Sequence, residues 1–202
     1  MNKNDDLVEV YCVNNQKKKL YPLGTSLLEV YADMKPGLPY PAIAAKVNNV
    51  TKDLKMKVMK PKTVEFISHD VRSLSFILCN AVNKLYPNVT VRLEHPIANG
   101  YYCKLIGCEE RIDQEMVDSI KTEMHRIVDA DIQFNQITMP TDDAIRIFEK
   151  KGAVDTAKLL KSRGSLYTRI YEMDGQYEWF LASLAPSTKY IQSFDLHIYH
   201  DG

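Results

Sequence analysis

A chain of 202 residues with 26 basic and 26 acidic side chains carries no net charge, and with 45% hydrophobic and 26% charged residues it has the composition of a folded globular protein. It holds no apolar run of about 18 residues, so no helical membrane span is expected. The N-terminus, "MNKNDDLVEVY", lacks the charged-then-apolar order of a signal peptide, so Cys12, Cys79, Cys103 and Cys108 are expected as reduced thiols in a cytoplasmic protein.

The charge is unevenly placed. Residues 1–66 hold 11 Lys+Arg against 7 Asp+Glu, and residues 67–202 hold 15 against 19. The basic part includes "KKK" at 17–19 and Lys52, Lys55, Lys57, Lys60 and Lys62. Such a face can meet phosphate or simply be solvated.

The first segment reads as a small mixed domain. "LVEVYCV" (7–13) alternates as a strand, and "KKLYPL" (18–23) is a second strand whose Pro22 places it at an edge. "TSLLEVYADM" (25–34) is a short helix, with Ser26 and Glu29 at capping-box spacing. "AIAAKV" and "VTKDL" are strands around "NN", and "KTVEFIS" (62–68) is a last strand. This order suggests a compact sheet with one helix packed across it.

The second segment opens with "SHDVRSLSFILCNAVNKLYP" (68–87), a helix with Asp70 as N-cap and Val71, Leu74, Leu78, Ala81, Val82 and Leu85 on its apolar face. "VTVRLEHPIANGYYCKLIG" (89–107) is a hairpin with "NG" at its turn. A helix over 113–130 is capped by Asp113 and buries Met116, Val117, Ile120, Met124, Ile127 and Val128. A strand over 131–139 follows. Then come a helix over 141–152, capped by Thr141 and Gly152, and a helix over 153–164 ending at Gly164. The chain continues as a hairpin over 165–183, turning at Asp174–Gly175, and a final strand over 189–202.

The common chemistries leave few marks. The histidines, His69, His95, His125, His197 and His200, include no i, i+4 pair, and on a strand His197 and His200 face opposite ways. Cys103 and Cys108 lack a second cysteine pair, so no metal is expected. G-x-x-x-x-G-K-[ST], G-x-G-x-x-G and G-x-S-x-G are all missing. Cys79 reads as core, and His125 flanks a buried stripe. "EHPIANGYYC" (94–103) allows two readings: a plain hairpin with Tyr101 and Tyr102 on opposite sides, or an aromatic pocket wall with His95 at its rim. The candidate pocket set is His69, Ser73, His95, Asn99, Tyr101 and Tyr102.

These blocks carry a resemblance. The first 66 residues resemble a TGS domain, the small β-grasp module of threonyl-tRNA synthetases. "HDVRSLSFILCNAVNKLYP", "VRLEHPIANGYYCKL" and "IDQEMVDSIKTEMHRIVDADIQFNQITMPTDDAIRIFEKKG" resemble the synthetase's second domain, which edits mischarged tRNA. The resemblance implies an α+β chain: a TGS-like β-grasp domain over 1–66 and an editing-like α+β domain over 67–202. The family's H-x-x-x-H falls here on Arg72 and Phe76, and its C-x-x-x-H, aligned through "APSTKYIQSFDL", on Phe180 and Leu184. All four polar site positions are then replaced, which leaves a degenerate editing site with no catalytic residue.

"DVRSLSFILCNAV" and "PSTKYIQSFDL" also resemble the region preceding the P-loop domain of Bacteroides-type uridine kinases. That resemblance implies a natural protein continuing past Gly202 into an ATP-dependent nucleoside kinase, with ATP and Mg expected only for that absent domain and no cofactor in this chain. The expected function is a noncatalytic regulatory or RNA/nucleotide-binding module of such a kinase. Its expected partners are the kinase domain of the same polypeptide and RNA or nucleotide, with oligomerisation open and no membrane. The alternatives are a freestanding trans-editing hydrolase of mischarged tRNA and an assembly domain with an apolar patch around Tyr177, Trp179 and Phe180.

Overall fold

The computed structural model describes residues 7–68, 71–97, 100–108 and 111–200. Contacts divide the chain into two compact units, Met1–Asp131 with Ala182–Gly202, and Ile132–Leu181. The first unit takes in the sheet domain expected over 1–66 together with part of the region expected over 67–202.

The first unit begins with β1 (Leu7–Cys12), β2 (Lys17–Pro22), α1 (Leu27–Met34), β3 (Ala44–Val47), β4 (Val50–Asp53) and β5 (Lys62–Ile67). The strands form one sheet in the order β2-β1-β5-β3-β4, with β1 and β5 parallel and the other neighbours antiparallel. This is the β-grasp order, and the fold is α+β as the sequence implies. Alternation along β1 sends Val8, Val10 and Cys12 inward, where they meet Leu27, Val30 and Met34 of α1 and Val64 and Phe66 of β5. The α1 capping box forms as its spacing predicts: Glu29 N–H donates to Ser26 Oγ, and Ser26 N–H donates to Glu29 Oε2. Asn48 and Asn49 both take positive φ, 49° and 65°, as a two-residue hairpin turn requires. At the end of β1 the Asn14 amide pairs in both directions with the Phe66 backbone and so prolongs the ladder with a side chain.

The unit continues with α2 (Val71–Leu85), β6 (Thr90–Ile97), β7 (Gly100–Ile106) and α3 (Gln114–Asp129). Asp70 lies outside the described residues, so its expected capping role does too. Asp113 caps α3 as expected, accepting from Met116 N–H at 2.8 Å. The buried face of α2 is not the one read from its periodicity. Val71 and Leu85 are exposed, and Ser73, Ser75, Phe76, Ile77 and Asn80 are buried with Leu78, Ala81 and Val82. The reason is coverage from several sides: α2 meets α3 and β6, and its first turn receives a later segment of the chain.

The final strand expected over 189–202 is replaced by a 3-10 turn at Thr188–Tyr190 and an irregular tail. Side-chain contacts with α3 hold this tail, and no ladder is needed: Phe194 stacks on His125 at 4.6 Å, and Asp195 pairs with Lys121.

The second unit holds β8 (Asn135–Pro140), α4 (Thr141–Lys150), α5 (Val154–Arg163), β9 (Tyr167–Met173) and β10 (Gln176–Glu178), with sheet order β10-β9-β8. Ala144, Ile145, Phe148, Ala157, Leu160 and Ile170 form its core. Thr141 is the first residue of α4 and not its cap; Pro140 precedes it without a side-chain bond, and Lys151, not Gly152, stands at the C-cap. Thr141 Oγ1 is buried with no hydrogen-bond partner among the described residues. Gly164 and the Asp174–Gly175 turn fall where expected, all at positive φ. Tyr177 and Trp179 pack against this core, with the Arg163 guanidinium 5.5 Å from the Trp179 ring, and Phe180 meets Tyr171 edge-on at 6.2 Å. The three are half-buried, and Leu181 beside them is exposed.

Candidate functional site

The first turn of α2 carries the positions where the resemblance puts a catalytic pair. Arg72 faces solvent, and Phe76, one turn on, is fully buried. The turn's two serines are committed to backbone. Ser73 Oγ accepts from Ala185 N–H at 2.8 Å, and Ser75 Oγ donates to Val71 O at 2.7 Å. The segment that reaches Ser73 is buried throughout, Leu184, Ala185, Pro186, Ser187 and Thr188 included. Thr188 Oγ1 donates to Ile127 O at 2.8 Å, and the Ser187 hydroxyl bonds the Asp131 carboxylate. Tyr190 follows, its phenol pushed above its ordinary range by burial and then by Asp131 and Tyr31 nearby.

The Ser73–Ala185 bond brings the first turn of α2, which carries Arg72 and Phe76, to the segment that opens with Leu184; Phe180 belongs to the second unit. Burying Phe76 and Leu184 stabilises the fold by about 1.5–3 kcal/mol each. A guanidinium, a phenyl ring and an isobutyl group offer no general base, because none can take up a proton near neutral pH. Arg72 can hold an anion.

The candidate pocket residues divide. His69 and Asn99 lie outside the described residues. Ser73 is the latch acceptor. Tyr101 is 48% exposed and Tyr102 9%, so the hairpin turns one ring out and one in, as alternation predicts. His95 meets Tyr102 at 5.3 Å. Two rings that the sequence reading did not include join them: Tyr199 lies 6.1 Å from Tyr102, and His200 lies 4.5 Å from Tyr199. Reading 189–202 as a strand concealed this, because strand alternation separates the rings of adjacent residues. The Lys104 ammonium sits 5.8 Å from the Tyr102 ring, within cation–π range. The Cys103 thiol, which follows Tyr102, is pushed up by burial and so is a poor nucleophile. Among the described residues no three His, Cys, Asp or Glu side chains gather as a metal site. None of the described helices is long and apolar enough to cross a membrane.

No family model matches the chain. Its relatives among curated proteins include threonine–tRNA ligases. That of Geobacillus sp. (strain WCH70) is 28% identical over 187 residues, covering 88% of this chain and 29% of the relative. That of Maricaulis maris (strain MCS10) is 30% identical over 192 residues, covering 89% and 29%. That of Myxococcus xanthus (strain DK1622) is 26% identical over 198 residues, covering 91% and 30%. The chain spans about three-tenths of the length of these relatives. They support the synthetase-like part of the expected resemblance and lend none to a uridine-kinase parent. Over about nine-tenths of its length, the chain is similar to threonine–tRNA ligases.

Proposed function

We propose that this chain is a tRNA-directed module of the threonyl-tRNA synthetase editing type, one that holds aminoacylated tRNA without hydrolysing it. The observation that carries the reading is the similarity to threonine–tRNA ligases across both compact units. The absence of hydrolysis is argued from side chains: Arg72, Phe76 and Leu184 supply no base, and Ser73 and Ser75 are spent on backbone bonds. The lysine-rich β-grasp segment supports RNA contact through phosphates, a contact that weakens as salt rises.

The second reading is the freestanding trans-editing hydrolase, which the same similarity favours on its own terms. His95 is exposed beside the ring cluster and is its candidate base. A uridine-kinase parent is not needed by either reading.

One experiment separates them. Purified chain is mixed with seryl-tRNA(Thr), and bound tRNA and released serine are followed together. The module reading expects retention of tRNA that falls with salt, and ester loss at the spontaneous rate. Accelerated ester loss that survives a chelator and disappears in His95→Ala establishes the hydrolase. No retention of tRNA at low salt, with ester loss at the spontaneous rate, removes both readings.

A further inference from the structure

Rings, a cation and a cavity coincide where β7 ends, α3 begins and the C-terminal tail returns. The cavity there has a volume of about 520 Å3. Leu105, Ile112 and Ile198 give it apolar walls, and Arg111, Asp113 and His200 its polar ones. The Asp113 carboxylate is engaged, since its Oδ1 caps α3 through Met116 N–H at 2.8 Å. Arg111 is exposed and has no hydrogen-bond or ion-pair partner among the described residues. From His200 the rings continue out of the cavity through Tyr199, which is 50% exposed, to Tyr102 and His95, with Lys104 over the Tyr102 ring.

We infer that this place binds a nucleoside phosphate, the base against the apolar wall and exposed rings, the phosphate on Arg111. Each half of that ligand has a matching element. A flat base stacks on ring faces whatever its sequence, and the contact survives in water because both surfaces are apolar. A guanidinium is permanently charged and its fork fits two phosphate oxygens. The volume falls within the range of small-molecule sites, about 300–1,000 Å3. A divalent cation fits poorly, because Arg111 repels it and Asp113, the one acidic side chain among the described lining residues, already caps α3. An acidic peptide would use Arg111 and leave the rings idle. The ligand can come as a free nucleotide or as the end of a single-stranded RNA. The site stands on its own geometry, apart from the α2 turn and from the tRNA reading.

The test measures affinity for adenosine 5′-monophosphate by calorimetry and for a fluorescein-labelled single-stranded RNA hexamer by anisotropy. The full chain is compared with Arg111→Met, Tyr199→Leu and, as a charge control on α5, Lys158→Met. Arg111 and Tyr199 are exposed, so both variants keep their circular dichroism. At least one probe binds, each site variant weakens it tenfold or more, and Lys158→Met leaves it unchanged. Binding of the monophosphate identifies a free nucleotide as sufficient; binding of the hexamer alone identifies an RNA end. The inference is overturned if neither probe binds at millimolar concentration, if Arg111→Met and Tyr199→Leu bind as the parent does, or if Lys158→Met weakens binding equally. Retention of seryl-tRNA(Thr) unaffected by Arg111→Met removes an RNA-end role for this site and leaves the tRNA reading intact.

Discussion

The two serines at the start of α2 show how position decides what a hydroxyl contributes. Ser73 and Ser75 lie two residues apart, and both are buried. Ser73 satisfies a buried backbone N–H from a segment 112 residues away, whereas Ser75 bonds back to its own helix. Removing the Ser73 hydroxyl leaves the Ala185 N–H without that acceptor, a loss of about 1–3 kcal/mol. Removing the Ser75 hydroxyl frees a carbonyl that already serves the helix, and alanine is the better helix former, so the change is about 0.5 kcal/mol or less. Urea unfolding of Ser73→Ala and Ser75→Ala checks this: the midpoint of the first falls clearly, and that of the second stays near the parent's. The sequence displays both serines and cannot tell them apart, because the partner of Ser73 is fixed by tertiary return and not by local spacing. For the same reason Tyr199 and His200 stay invisible as companions of His95 until the tail is placed. Residues whose partners are local, Ser26 with Glu29 and Asp113 with Met116, are legible from spacing alone.

At the scale of elements, turns and caps test how closely the backbone is constrained. Gly107, just past β7, has φ +84°, and a Cβ there would lie 2.7 Å from Asn88 O. Gly175 has φ +75° and open space around it. An alanine at Gly175 therefore costs the left-handed backbone alone, about 1–2 kcal/mol. At Gly107 it must also displace a carbonyl, and the cost rises to about 3 kcal/mol or more. Thermal melts of the two variants should rank them in that order. The start of α4 offers a gain. Thr141→Val keeps the branched shape and removes a buried hydroxyl that has no partner among the described residues, so it raises stability by about 1 kcal/mol, seen as an upward shift in the same melts. Helices and hairpins are largely legible in the sequence because periodicity and turn residues are local signals. The face that α2 buries is not, since Ser73, Phe76 and Asn80 are covered by neighbours that periodicity does not see. The tail over 189–200 fails as a strand for the opposite reason. Its alternation suggests a ladder, but Phe194 and Asp195 are taken up by His125 and Lys121 of α3.

For the whole molecule, pH reports on carboxylates spread over the first unit. Asp33 is held below its ordinary range by hydrogen bonds from Lys19 and Tyr21, Glu123 by Arg126, and Asp195 by Lys121. A lowered carboxylate contributes stability that is fully present above its unfolded value near 4 and is lost as pH falls through its folded value. The melting temperature should stay level from neutral pH to about 5 and drop below about 4, and Arg126→Met should make that acid drop shallower. The elements of the first sheet and its helix are legible because they occur in one uninterrupted run, whereas the strand order β2-β1-β5-β3-β4 comes from pairings distant in sequence. The grouping of residues 182–202 with the first unit is not, because nothing local in "LAPSTKY" says that it returns to α2 and α3. That return has a consequence in time. A ribosome adding about 5–20 residues per second takes about 6–22 s to go from Ser73 to Ala185. Throughout that interval the first turn of α2 exists on the nascent chain without the segment that covers it. The Ser73 hydroxyl waits that long for the Ala185 N–H, and a message truncated inside the second unit yields a chain in which this bond cannot form.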